Sequence, residues 1–230
     1  LPSVETLGSV NVICTDKTGT LTHNEMTVTK IYANGQTYEV SGSGYDTKGN
    51  FLQDNKKVSP SPLSLLLKCG LLCNNAQFEE KKKQREVIGD PTEAALVVAA
   101  EKASLTAKEE RIDEIPFSSE RKMMTTIHKT SKTMVSFTKG APDVVLKYCD
   151  QIYLNGKIQR LDRDTKKKIL RQNEKFASEA LRVLGFAFKE NPTKENAEQS
   201  MVFLGLQAMI DPPREEVKEA IKKCQDAGIK

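Results

Sequence analysis

The spacing of apolar and polar positions changes several times along this 230-residue chain, and each change predicts an element. Val10 to Thr15 is an apolar run rich in β-branched residues that ends in Asp16-Lys17-Thr18-Gly19-Thr20. It predicts a buried strand delivering Asp16 at its C-terminal end. From Met26 to Val40 a strand-like pattern brackets Asn34-Gly35, the preferred turn of a two-residue β-hairpin. Gly42 to Asp54 is rich in Gly, Ser and Asn and predicts a loop, stopped by Ser59-Pro60-Ser61-Pro62. Leucines at helical spacing predict a buried helix over Leu63 to Asn75, with Cys69 and Cys73 one turn apart as small core residues.

Asp90 before Pro91, with Glu93 in the first turn, predicts a helix to about Ala103. Ile115 to Phe137 reads as two strands joined by a polar turn around Lys129 to Lys132, followed by a helix from Ala141 to Cys149. Gln151 to Ile158 is strand-like around Asn155-Gly156, and Asp164 to Ala180 is a charged amphipathic helix. Val183 to Phe188 and Val202 to Met209 are apolar strands separated by the polar loop Glu190 to Ser200. In the tail, Arg214 to Ala227 sets Val217, Ala220, Ile221 and Cys224 on one helical face that must pack against something, and a further strand begins at Gly228-Ile229-Lys230. The order implies a discontinuous α/β architecture in which both ends form one unit and the long middle is inserted.

Composition removes several function classes. With 38% hydrophobic residues, 29% charged residues and a mean hydropathy of −0.48, the chain reads as globular. Its longest purely apolar run, Ala94 to Ala100, is far short of the roughly 18 residues that cross a bilayer. The +4 formal charge is mild and spread along the sequence, which argues against a nucleic-acid partner. Cys14, Cys69, Cys73, Cys149 and Cys224 are odd in number and match no zinc spacing, as expected of a reducing compartment. His23 and His128 sit in unrelated segments and suggest no metal site. Gly42-Ser43-Gly44 is not completed to G-x-G-x-x-G, no phosphate-binding P-loop is present, and Pro192 bars glycosylation at Asn191. The opening Leu-Pro-Ser-Val lacks an initiator Met, so a piece of a longer protein is expected.

The most specific feature is Ile13-Cys14-Thr15-Asp16-Lys17-Thr18-Gly19-Thr20-Leu21-Thr22. An aspartate entering a turn rich in Gly and Thr presents a carboxylate nucleophile amid backbone N–H groups suited to a phosphoryl group. Composition alone equally allows an ordinary Asp-initiated turn. The segment resembles the phosphorylation motif of P-type ATPases, the ion pumps that pass through an aspartyl-phosphate. Leu1 to Gly8 and Asn24-Glu25-Met26-Thr27-Val28 are similar to the calcium-pump branch of that family. Gly89-Asp90-Pro91-Thr92-Glu93, Phe117-Ser118-Ser119-Glu120-Arg121-Lys122, Thr138-Lys139-Gly140-Ala141-Pro142 and Asp211-Pro212-Pro213-Arg214 follow in the family's order.

The resemblance implies an antiparallel-sheet nucleotide-binding domain with flanking helices over 31–209, inserted into a partial Rossmann-like, HAD-type phosphorylation domain formed by 1–30 and 210–230. Asp16 would be the phosphorylated nucleophile, Lys17, Thr18 and Thr20 would position the phosphoryl group, and Mg²⁺ would take the Asp16 carboxylate and the Thr18 carbonyl. ATP would sit with adenine on Phe117 and its amino group at Glu93, in a pocket shared by Lys139 and Gly140. Arg182 would reach the phosphates, while Lys122, Met124 and Leu184 would complete the wall. Asp211 to Arg214 would form a return hinge. Ser119 stands where calcium-pump relatives can carry an arginine, a departure that puts one phosphate contact of the resemblance in question.

Thr18 also stands two residues after Asp16, where related phosphatases carry a second aspartate, so a persisting acyl phosphate is expected rather than phosphatase activity. By the same resemblance the parent is an integral membrane ATPase with this part on the cytoplasmic side. Its partners would be ATP, the remaining phosphorylation, actuator and transmembrane domains, and a cation, expected to be Ca²⁺, bound elsewhere. The chain alone is expected to bind ATP without transport. The alternatives are a non-catalytic nucleotide-binding or interaction module and a pump of different cation specificity.

Overall fold

The computed structural model describes residues 10–81, 84–106, 108–131 and 133–230. Leu1 to Gly8 and Lys132, both used above, lie outside them. The chain divides into two compact units, one formed by the residues up to Glu25 with Asp211–Lys230, the other by Met26–Ile210. A boundary at residue 30 would cut the first strand of the second unit.

The second unit is a mixed α/β fold dominated by an antiparallel sheet. Its strands are β1 (Thr27–Ala33), β2 (Gln36–Val40), β3 (Phe51–Gln53), β4 (Lys56–Val58), β5 (Gln77–Lys81), β6 (Gln84–Ile88), β7 (Glu110–Ser118), β8 (Met123–Lys129), β9 (Met134–Gly140), β10 (Cys149–Leu154), β11 (Lys157–Arg160), β12 (Arg182–Glu190) and β13 (Met201–Ile210). Its helices are α1 (Ser64–Leu72), α2 (Pro91–Lys102), α3 (Pro142–Lys147) and α4 (Arg163–Ser178). The main sheet runs β4-β3-β2-β1-β13-β12-β9-β8-β7, with β10 joining β13 in parallel and carrying β11; β5 and β6 form a separate ribbon.

Central β13 is buried from Met201 to Met209, a near-continuous apolar run as expected where both sheet faces are covered. On one face α1 and α2 pack Leu66, Leu67 and Leu96 against Phe186, Phe188 and Ile31. On the other, α3, α4 and β10 pack Val145, Ile169 and Ile152 against Phe203 and Leu206. Helix α2 starts as its sequence predicts: the Thr92 N–H donates to Asp90 Oδ1 at 2.6 Å, with Pro91 in the first turn. The Asn34-Gly35 turn has φ of 54° and 73°, the left-handed pair a tight hairpin requires.

Several elements depart from the sequence reading. The loop expected over Gly42 to Asp54 contains β3, because Phe51 is drawn into the core opposite Val40. The two strands expected over Ile115 to Phe137 are three, with a tight turn at Ser119 to Lys122 between the first two and the Thr130 N–H donating to the Thr133 carbonyl at 2.9 Å between the last two. The β5–β6 ribbon was not anticipated. The cations are also less evenly spread than they look in sequence: Arg163, Lys167, Lys168, Arg171 and Lys175 share the exposed surface of α4.

In the first unit, Val10 to Thr15 forms no buried strand. Val12 is 58% exposed, because apolar residues are buried only where neighbouring strands and helices cover them. Among the described residues its backbone pairs with Lys230: the Ile13 N–H donates to the Lys230 carbonyl at 2.8 Å and the Lys230 N–H to the Asn11 carbonyl at 3.0 Å. That stagger is the pattern of parallel pairing. Helix α5 (Val217–Asp226) forms as expected, but none of its residues is buried, so the apolar face does not find the cover its pattern calls for.

Candidate functional site

A cavity of about 540 Å³ opens in the second unit where β7, β8, β9 and β12 meet the first turn of α2. All eight residues expected to bind nucleotide line it: Glu93, Phe117, Lys122, Met124, Lys139, Gly140, Arg182 and Leu184. Sheet register explains the gathering. Met124 on β8 lies opposite Lys139 on β9, Lys139 opposite Phe186 on β12, and Gly140 opposite Gly185, so side chains distant in sequence meet at one end of three strands.

Two backbone features shape the mouth. Lys122 adopts φ of 51°, closing the β7–β8 turn with its N–H on the Ser118 carbonyl at 2.7 Å. The Lys122 carbonyl then accepts from the Ala141 N–H at 2.9 Å. Gly140 is required by this approach, since a Cβ there would lie 2.4 Å from that carbonyl oxygen and 2.6 Å from Met123 Cβ. Phe117 is 60% exposed, so its ring is an open platform and not a core side chain.

The floor carries a nearly buried ion pair, Lys139 Nζ to Glu93 Oε1 at 2.5 Å. The second Glu93 oxygen accepts from the Asn75 N–H at 3.0 Å. Burial by itself would raise the Asp90 carboxyl, but hydrogen bonds from Thr92 and the charge of Arg182 outweigh it and hold Asp90 below the usual carboxylate range. Three carboxylates (Asp90, Glu93, Glu114), three cations (Lys122, Lys139, Arg182) and the polar Asn75 and Thr92 thus share the cleft with apolar residues such as Phe117, Met124, Val183 and Leu184. That mixture suits a ligand with a flat apolar part and an anionic tail.

Ser119 is exposed in the turn and is not among the lining residues. Arg121, part of the same motif, serves the scaffold: its Nη1 holds both Glu198 carboxylate oxygens at 2.6 Å and its Nη2 the Pro116 and Met123 carbonyls. Asn75, Asp90, Thr92, Glu114, Pro116 and Pro142 also line the cavity. Asp90, Thr92 and Pro142 lie in motifs noted in the sequence; Asn75 and Glu114 carry no local signal.

In the first unit Asp16, Lys17, Thr18 and Thr20 are all exposed. The wide turn Lys17–Leu21 includes Gly19 at φ of 79°. Asp211 and Arg214, expected as a hinge, fasten this turn from behind. Thr22 Oγ1 donates to Asp211 Oδ2 at 2.5 Å and the Glu25 N–H to Asp211 Oδ1 at 3.3 Å. Arg214 Nε donates to the Thr22 carbonyl at 3.1 Å and Nη2 to the Gly19 carbonyl at 3.2 Å.

A family model described as P-type ATPase, cytoplasmic domain N, matches residues 62–216. The chain belongs to the P-type ATPase family. It is 44% identical to calcium-transporting ATPase 1 of Bacillus cereus (strain ATCC 10987 / NRS 248), with 100% of this chain and 25% of that protein aligned. A calcium-transporting ATPase of Bacillus subtilis (strain 168) is 41% identical, again over 100% of this chain and 27% of its own length. The potassium-transporting ATPase alpha chain 2 of Rattus norvegicus is 34% identical over 100% of the chain and 24% of that protein. The chain therefore spans about a quarter of the length of the curated relatives it matches and is similar to the calcium-pump branch of the family. No helix among the described residues is long and apolar enough to cross a membrane.

Proposed function

We propose that the second unit binds ATP in the cavity and that Asp16 accepts its γ-phosphoryl group, within a P-type pump that moves a cation, Ca²⁺, across a membrane. The observation that carries the reading is the convergence on one cleft of all eight residues that the resemblance implies, seven of them through side chains and Gly140 through its backbone. Adenine stacks on the exposed Phe117 ring against Met124 and Leu184, its amino group donates to Glu93, and Arg182 and Lys122 take the phosphate tail. Calcium is favoured over potassium because the calcium-transporting relatives are 38% to 44% identical and the potassium-transporting ones 34%.

At Asp16 a carboxylate oxygen forms the new bond to the γ-phosphorus while the bond from phosphorus to the β,γ-bridging oxygen breaks, releasing ADP and leaving an acyl phosphate. Lys17 offers a charge beside the transferred group, and Thr18 and Thr20 offer hydroxyls. The Asp16 carboxylate and Thr18 carbonyl are hard oxygen donors and fit a share of a Mg²⁺ shell, with water and phosphate supplying others. When bound, that ion offsets the repulsion between carboxylate and polyphosphate. Pairing of Lys230 beside Asn11 and Ile13, with α5 between, supports a parallel α/β arrangement for this unit. Asp211 and Arg214 would anchor the return segment on the Asp16 side while the second unit moves.

Calorimetric titration of this chain with ATP, with and without Mg²⁺, tests the nucleotide half. Phe117→Ala should weaken binding by about 1 to 3 kcal/mol. No binding by the folded, unmutated chain at millimolar ATP would overturn it. For the chemical half, Asp16→Asn in the full-length protein should abolish phosphoenzyme and leave nucleotide binding intact; loss of neither would make Asp16 a plain turn residue.

A further inference from the structure

We propose that Arg111, which does not line the cavity, is a positioning residue that fixes the cavity's oxygen-rich wall and thereby favours a 6-amino over a 6-oxo purine. This rests on the ATP reading above. Arg111 lies on β7 opposite His128 of β8 and is 29% exposed. Its Nη1 donates to Asn75 Oδ1 at 2.7 Å and to the Asn74 carbonyl at 3.3 Å, and its Nη2 pairs with the Glu114 carboxylate. Asn75 and Glu114 line the cavity.

The network continues inward. The Asn75 N–H holds Glu93 Oε2 at 3.0 Å, and Asn74 Nδ2 donates to the Glu93 carbonyl at 2.8 Å and the Gly70 carbonyl at 3.0 Å. One guanidinium therefore couples β7, the segment after α1 and the first turn of α2. A planar fork with several fixed donors does this; the single ammonium of a lysine cannot reach all three acceptors in the same geometry.

The acceptors that the wall offers a ligand are the Glu93 and Glu114 carboxylates, and the neighbouring Lys139 ammonium is already paired with Glu93. An exocyclic 6-amino group donates to such a wall. A 6-oxo group sets oxygen against oxygen and leaves a buried acceptor unpaired, which is the arrangement that discriminates most strongly. Discrimination lasts only while the carboxylates stay in place, because a free one rotates towards water and accepts either base.

The test is calorimetric titration of this chain and of Arg111→Met and Arg111→Lys with ATP, inosine triphosphate and inorganic tripolyphosphate, with thermal melting as the check on folding. ATP affinity should fall about tenfold in Arg111→Met while the other two ligands shift less than about twofold, and Arg111→Lys should fall between. An unchanged ATP-to-ITP ratio in folded Arg111→Met overturns the proposal, as does an equal loss for all three ligands. If Arg111→Met does not fold, Glu114→Gln decides: the ratio should drop about threefold, and an unchanged ratio overturns the proposal. An unmutated chain that binds ATP and ITP equally sinks this inference alone, whereas one that binds no ATP sinks the nucleotide reading with it.

Discussion

The cleft of the second unit and the Asp16 turn of the first are built in opposite ways. In the cleft, Lys139 and Glu93 are paired and nearly buried, Gly140 is held against the Lys122 carbonyl, and sheet register sets the remaining side chains. At the turn, every expected reactive residue is exposed, and the ordering contacts come from behind, through Thr22, Asp211 and Arg214. A recognition site gains affinity from groups that need no reordering when the ligand arrives. Under the proposed function, Asp16 would meet a phosphoryl group delivered from elsewhere, which calls for an open carboxylate on a tethered backbone, as in the second arrangement.

The comparison predicts that the largest damage follows from breaking the pair in the cleft. Lys139→Met leaves Glu93 poorly hydrated and without its cation, which should cost about 3 kcal/mol in urea unfolding of the second unit. Nucleotide affinity should fall as well. Lys139→Met combined with Glu93→Gln should recover much of the stability but not the binding. If the single variant unfolds like the parent, the pair is not a preorganised floor and the contrast with the Asp16 turn weakens.

A smaller effect is expected at the turn. Asp211→Ala removes the acceptor of Thr22 Oγ1 and of the Glu25 N–H, a local loss of about 1 kcal/mol. Amide hydrogen exchange should quicken at Thr22 to Glu25 while ATP affinity stays at the parent value. A drop in ATP affinity as large as that of Lys139→Met would mean that the two regions are not energetically separate.

Legibility followed the same division. Asn34-Gly35 and Asp90-Pro91 mark their turn and helix start because the backbone conformations there belong to few residue types. The cleft residues were legible only jointly, since Phe117 and Arg182 taken alone look like core and solvated surface. Strand β7 is not legible over Glu110 to Glu114 because its charges suit a sheet edge and Pro116 lies within its second register shift, both of which disguise a strand. Arg111, Asn75 and Glu114 left no trace, because their roles depend on contacts between elements. Val10 to Thr15 misled for a related reason: an apolar run states a preference for burial, and its neighbours decide whether burial occurs.

The smallest predicted effect concerns acid and the second unit. His128 is 2% exposed and its Nε2 lies 2.9 Å from Thr126 Oγ1. Burial pushes its imidazole below the ordinary value; Glu109 raises it in part, and the Arg111 charge lowers it further. The folded unit thus holds His128 neutral where the unfolded chain would already bind a proton. The resulting stability is complete above about pH 6.5 and is lost as pH falls below it. Urea midpoints compared between about pH 7.5 and 5.5 should fall for the parent and fall less for His128→Gln, the carboxylates losing their contributions only at lower pH. Equal slopes would show that His128 accepts its proton without cost. In that case the strand bearing Arg111's cross-strand partner is looser than its burial implies.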